Sequence, residues 1–175
     1  MSETQIATAL LRAQFQGAHD WFEATLEGVT DAVAAWQPPG LANPIGAEYL
    51  HHLTAEDFFI NGLLSQGTPL LASSYAIRTG MSEPPPMGNW SDWGKHVTVD
   101  MAMARQYAQA VYAATDAYLA VLHDSDLATM IDVPVQGMGR MPVGVFLSIL
   151  LANCNNHCGE ISCMKGLQGL KGYPF

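Results

Sequence analysis

The sequence predicts an all-α chain in which four long helices pack as a bundle and are joined by long connections. Three observations carry that prediction. Apolar residues recur at helical spacing in four separate stretches. Gly- and Pro-rich segments separate those stretches. The 175 residues amount to about one domain, expected to span residues 1–175, which is enough to bury a core without disulfides or a structural metal.

The first helix is predicted over "ATALLRAQFQGAHDWFEATLEGV", where Leu11, Phe15, Ala18, Phe22 and Leu26 fall on one stripe. Pro38, Pro39, Gly40 and Pro44 break it. The second helix starts at Pro44, a favoured first-turn residue, and runs through "IGAEYLHHLTAEDFFINGLL". The segment from Ser65 to about His96 is rich in Gly, Pro and Ser, and connections of this length are functional or disordered. Its Trp90 and Trp93 predict an ordered lid, with both rings as loop anchors. The third helix carries Ala104, Ala108, Val111, Thr115, Tyr118 and Leu122 on one face, with Thr98 or Asp100 as its cap. The connector from His123 onward is expected to hold a short strand pair around Gly137 and Gly139. The fourth helix runs from Pro142 to about Leu167, and glycines 166, 169 and 172 fray its end. Lys165 and Lys171 are expected to complement the dipole at that end. Gly159 is expected to permit a close helix approach, and the Met-rich runs to fill gaps in the core.

The formal net charge of −9 argues against nucleic acid, whose affinity comes from Lys and Arg neutralising phosphates, and against an anionic membrane surface. The first fifteen residues lack a basic region followed by an apolar run, so no signal peptide is expected. The longest apolar run, "PVGVFLSILLA", is too short to span a bilayer. Cys154, Cys158 and Cys163 all lie in the last helix, which suits reduced thiols in the cytoplasm better than a disulfide framework.

Chemistry in a bundle is built from inward-facing side chains of neighbouring helices. "NCNNHCGEI" places Asn153 four residues before His157, so both project to one side of the fourth helix. Two histidines at that spacing, with a third ligand from a facing helix, would leave a metal ion open to water or substrate. Here half of the pair is an amide. His51 or His52 of the second helix is the candidate facing ligand, and Glu48, Glu56 and Glu160 are candidate acceptors for orienting a ring. The same residues also fit a pair of inward histidines hydrogen-bonded to Asn153, Glu160 or water. His52 reads as a packing histidine or one that supports the ligands, and His19 as a core or rim histidine. His96 and His123 read as exposed. Cys154 and Cys158 read as small buried residues, since no electropositive setting favours a thiolate.

"NPIGAEYLHHLTAED" and "NHCGEISCMKGLQGLKGYPF" together resemble the DinB-like superfamily of bacterial four-helix bundles, and the resemblance extends over nearly the whole chain. It implies a divalent metal, nickel or zinc, held by one histidine of the second helix and an H-x-x-x-H pair of the fourth. The family pattern puts the first ligand seven residues after a proline and five before a glutamate. Counted from Pro44 and from Glu56, this falls on His51. His157 matches the second histidine of the pair. Asn153 stands where the family has the first, so the site is expected to be weakened, or the metal absent, because an amide oxygen is a poorer donor than imidazole for these ions. The resemblance implies a homodimer and thiol-dependent transfer or metal-assisted hydrolysis of a small-molecule substrate. Glu56 or Glu160 would then serve as proton acceptor or as the acceptor orienting a ligand ring. The alternative is a non-catalytic small-molecule binding module that keeps the pocket.

Overall fold

The computed structural model describes residues 5–86 and 88–175; the first four residues of the segment read as lacking a leader, and Met87 in the long connection, lie outside them. The elements in order are α1 (Ile6–Thr25), α2 (Asp31–Ala34), α3 (Ile45–Asp57), α4 (Ser91–His96), α5 (Met101–Val121), β1 (Met130–Val133), β2 (Gly139–Pro142) and α6 (Val143–Leu167). The four long helices α1, α3, α5 and α6 pack on one another as the expected bundle. β1 and β2 pair antiparallel, with Val133 opposite Gly139, which is the strand pair expected around the two glycines.

Phe15, Ala18, Phe22 and Leu26 bury the predicted stripe of α1. Its free N-terminal N–H groups are satisfied from a distance: Ala7 and Thr8 donate to the Asp124 carboxylate at 3.1 and 2.9 Å. Those bonds hold the Asp124 carboxyl below its usual range. At the other end, Lys165 Nζ donates to the carbonyls of Thr25 and Glu27, and Arg105 Nη2 to those of Leu26 and Val29. Lys165 therefore complements the C-terminal dipole of α1 rather than that of its own helix.

Asp100 caps α5 by accepting from Met103 N at 2.9 Å, and the Asp31 carboxylate accepts from Met101 N. Gly80, at φ +80°, crosses this end so closely that a Cβ would lie 2.5 Å from Ala104 N. No other residue type fits there without displacing the chain. Tyr107 joins the predicted α5 stripe in the core.

α3 is the most enclosed helix. Every residue from Ile45 to Asp57 is buried except His51 and Ala55, so its polarity pattern matches a helix surrounded by protein. Beyond Asp57 the same helix rewinds as a π-helix over Phe58–Leu64, with Ser65 N bonding back to Ile60 O. Such segments recur at functional sites. The Asp57 carboxylate fixes this junction. It accepts from Asn61 Nδ2, Leu70 N, Leu71 N and Tyr107 Oη, all at 2.7–2.8 Å.

Described residues of the long connection pack on the bundle, among them Leu70, Tyr75, Met81 and Trp90. Trp93 is buried in the core and donates its indole N–H to Glu83 O. Gly159 meets the C-terminal tail and not a helix: a Cβ there would lie 3.2 Å from Tyr173 Oη. Among the described residues no helix is long and apolar enough to cross a membrane.

Candidate functional site

A cavity of about 380 Å³ opens between α3 and α6. Its α3 wall is His51, Thr54, Ala55 and Phe58, and its α6 wall is Phe146, Ile149, Leu150 and Asn153. Both sets follow the spacing i, i+3, i+4, i+7, so each is one stripe of a helix. The two stripes end in the polar pair His51 and Asn153, at the same end of the cavity. His157 lies one turn beyond Asn153.

The three residues selected from the sequence therefore converge. The rings of His51 and His157 meet edge to face with centroids 5.2 Å apart. Imidazoles sharing one ion at the usual metal–nitrogen distance of about 2.0–2.1 Å have ring centres about 5 Å apart, so this spacing suits a shared ion. Trp90 stacks on the outer face of His51 at 3.9 Å and 12°. It is thus a ring clamp on the site as well as a loop anchor. Burial, reinforced by the nearby His157, brings the His51 imidazole down to about 4 and keeps it neutral near pH 7.

His157 Nδ1 lies 2.8 Å from Glu48 Oε2 and 2.8 Å from Glu160 Oε2. Burial alone would lower its pKa, but the Glu48 hydrogen bond and charge and the Glu160 charge outweigh that and raise it. The Glu160 carboxyl is raised by burial and by the neighbouring Glu48, with His157 opposing. This arrangement allows two kinds of site. Nδ1–H held by carboxylates leaves Nε2 as the nitrogen able to ligate, the usual support for a metal-bound histidine. Alternatively, Glu48, His157 and Glu160 themselves form an oxygen-rich cluster close enough to surround a cation.

The other candidates are placed elsewhere. Glu56 does not face His51. It is buried against His19 Nε2 at 3.1 Å and accepts from Thr115 Oγ1 at 2.5 Å. Its burial favours the neutral acid, but the His19 contact, with His52 and Thr115, draws its pKa below the usual range. His19 stacks on Tyr112 at 3.8 Å as a core histidine. His52 is fully buried on the ring of Phe22, and neither ring nitrogen has a hydrogen-bond partner among the described residues. Burial therefore depresses its pKa to about 3. Cys154 and Cys158 are buried thiols with raised pKa, chiefly through burial, and are poor nucleophiles.

Sequence reasoning missed Asp57 and the ring clamp by Trp90. The adjacent "ED" at 56–57 carried a signal for the first, since a second acid on an otherwise apolar helix needs partners. Nothing local to Trp90 signalled the second.

A family model for the DinB superfamily matches residues 14–161. Among solved structures, a conserved protein from Enterococcus faecalis is similar at TM-score 0.77 and 22% identity, over 93% of this chain and 96% of its own. A DinB-like protein from Bacillus cereus is similar at TM-score 0.54 and 20% identity, over 91% of this chain and 88% of its own. No curated protein matches the sequence.

Proposed function

The chain belongs to the DinB superfamily, and on that premise we propose that His51 and His157, with the Asn153 amide oxygen as a weaker third donor, hold one divalent ion at the polar end of the α3–α6 cavity. The observation that supports this most is the edge-to-face contact of the two imidazoles beside Asn153. The donor set fits nickel or zinc. The His51 imidazole is neutral and makes no hydrogen bond among the described residues, Trp90 fixes its plane, and Glu48 anchors His157 through Nδ1. A divalent ion bound there supplies Lewis acidity, which lowers the pKa of a thiol or water toward neutrality and suits transfer or hydrolysis.

The chain itself contributes orientation and an apolar surround. Glu48 and Glu160 restrain the His157 ring, Trp90 covers one face of His51, and the cavity walls beyond the polar end are apolar. The family expectation of a homodimer is part of the same proposal. It is supported by the exposed apolar residues Ile6, Leu10 and Trp21 along α1, and light scattering tests it. A cytoplasmic setting accords with the three free cysteines.

A second reading has its own support. Two carboxylates on one imidazole favour its protonated form, and an imidazolium does not ligate. On that reading the protein is a binding module whose cavity works without metal. Metal analysis of tag-free protein after dialysis against nickel or zinc separates the two. The proposal expects one ion per chain, lost in His51→Ala and in His157→Ala but kept in His96→Ala, an exposed histidine. No uptake by the wild type leaves the binding module.

A further inference from the structure

We propose that the molecule received in the α3–α6 cavity has an uncharged apolar body, aliphatic or aromatic, and a single polar end directed at His51 and Asn153. The inference rests on reading that end as the reacting end. No Lys, Arg, Asp or Glu lines the cavity among the described residues, so nothing in its body would compensate a buried charge or pair with a sugar or peptide backbone. The walls are Phe58, Leu71, Phe146, Ile149, Leu150 and Met138. Phe59 packs edge-on against Phe146 at 5.1 Å and against Phe58 at 5.3 Å, giving one end a rigid aromatic wall.

The three polar lining side chains are unequal. Thr54 Oγ1 already donates within its own helix, to Leu50 O at 2.8 Å and His51 O at 3.1 Å. The side chains of His51 and Asn153 make no hydrogen bond among the described residues, so of the lining side chains they alone keep both a donor and an acceptor for a guest, whereas Thr54 Oγ1 keeps acceptor capacity only. Polar capacity at one end and apolar walls elsewhere recognise a molecule of the same asymmetry. Hydrophilic thiols with several charges do not meet that description, whereas an alkyl or aryl thiol, alcohol or amide does.

The test uses chelator-treated full-length protein and calorimetric titration with 1-butanol, 1-hexanol, 1-octanol and hexane-1,6-diol. Each buried methylene should tighten binding about fourfold. Hexanol should bind at least ~10-fold tighter than the diol, whose second hydroxyl would enter the apolar body unpaired. Ile149→Trp should abolish the chain-length dependence while leaving the helical circular dichroism unchanged. Should that variant misfold, Met138→Trp on the hairpin loop should weaken octanol binding in the same way. Affinity that does not change with chain length, or diol binding as tight as hexanol, overturns the inference. Nickel titration of the same preparations distinguishes the two ideas. Normal uptake with a flat alcohol series removes this inference alone, and a rising alcohol series without uptake removes the metal reading alone.

Discussion

Replacing Asn153 by His puts an imidazole one turn before His157, on the stripe that already carries Phe146 and Ile149. Asn153 is partly exposed to the cavity, so the larger ring grows into open space and not into the packed core. The i, i+4 spacing points both rings to one side, and His51 completes a set of three nitrogens. Exchanging an amide oxygen for imidazole should tighten nickel or zinc at least ~10-fold, equivalent to ~1.4 kcal/mol. The gain should increase between about pH 5.5 and 7.5, because a ligand with an ordinary histidine pKa must lose its proton to bind. Calorimetric titration of wild type and Asn153→His with both ions at those two pH values measures it. A variant that binds no more tightly than wild type at pH 7.5 would show that position 153 does not face the ion, and the three-residue site would have to be abandoned.

Three further outcomes follow from other parts of the fold. Asp57→Ala leaves four donors without their acceptor, two of them backbone N–H groups next to the cavity wall at Leu71, and should cost at least ~3 kcal/mol. At about 2–4 °C per kcal/mol for a chain of this size, thermal unfolding should shift by roughly 6–12 °C, and a loss below ~1 kcal/mol would contradict the assignment. Trp90→Ala removes the clamp on His51 and should weaken metal binding roughly threefold to tenfold with helix content unchanged, as read by titration and circular dichroism. His52 has a folded pKa of about 3, below its unfolded value of about 6.5, so the unfolded chain takes the proton first and stability falls as pH drops from about 6.5 toward 3. His52→Phe, which keeps a ring against Phe22, should reduce the slope of unfolding free energy between pH 6.5 and 4 by up to about 1.4 kcal/mol per pH unit; an unchanged slope in urea titrations would refute it.

Much of this structure was legible because it is periodic. The four stripes, the Pro and Gly breaks and the glycine-marked hairpin come from local rules, and they placed α1, α3, α5, α6 and the strand pair close to where they lie. The convergence of His51, Asn153 and His157 was legible through the family pattern together with helical spacing. What escaped depends on contacts between distant segments. Glu48 and His157 are 109 residues apart, and Lys165 reaches carbonyls of α1 about 140 residues away. No local pattern specifies such partners. The same holds for Glu56, which reads as an acceptor for His51 from its position on α3 but turns to His19 and Thr115 because α1 and α5 pack on that side. The switch from α to π winding at Phe58 coincides with the tie of Asp57 to Leu70 and Leu71, a contact between segments that local patterns do not specify.

X-ray absorption at the nickel edge, on tag-free protein loaded with one equivalent, tests the proposed ion site most directly. His51, His157 and Asn153 predict nitrogen and oxygen neighbours only, with the outer-shell scattering of two imidazoles, and with one imidazole lost in His51→Ala. A spectrum with a single imidazole among carboxylate oxygens, unchanged in His51→Ala, would move the ion to Glu48, His157 and Glu160. A sulfur neighbour or no imidazole at all would contradict both donor sets.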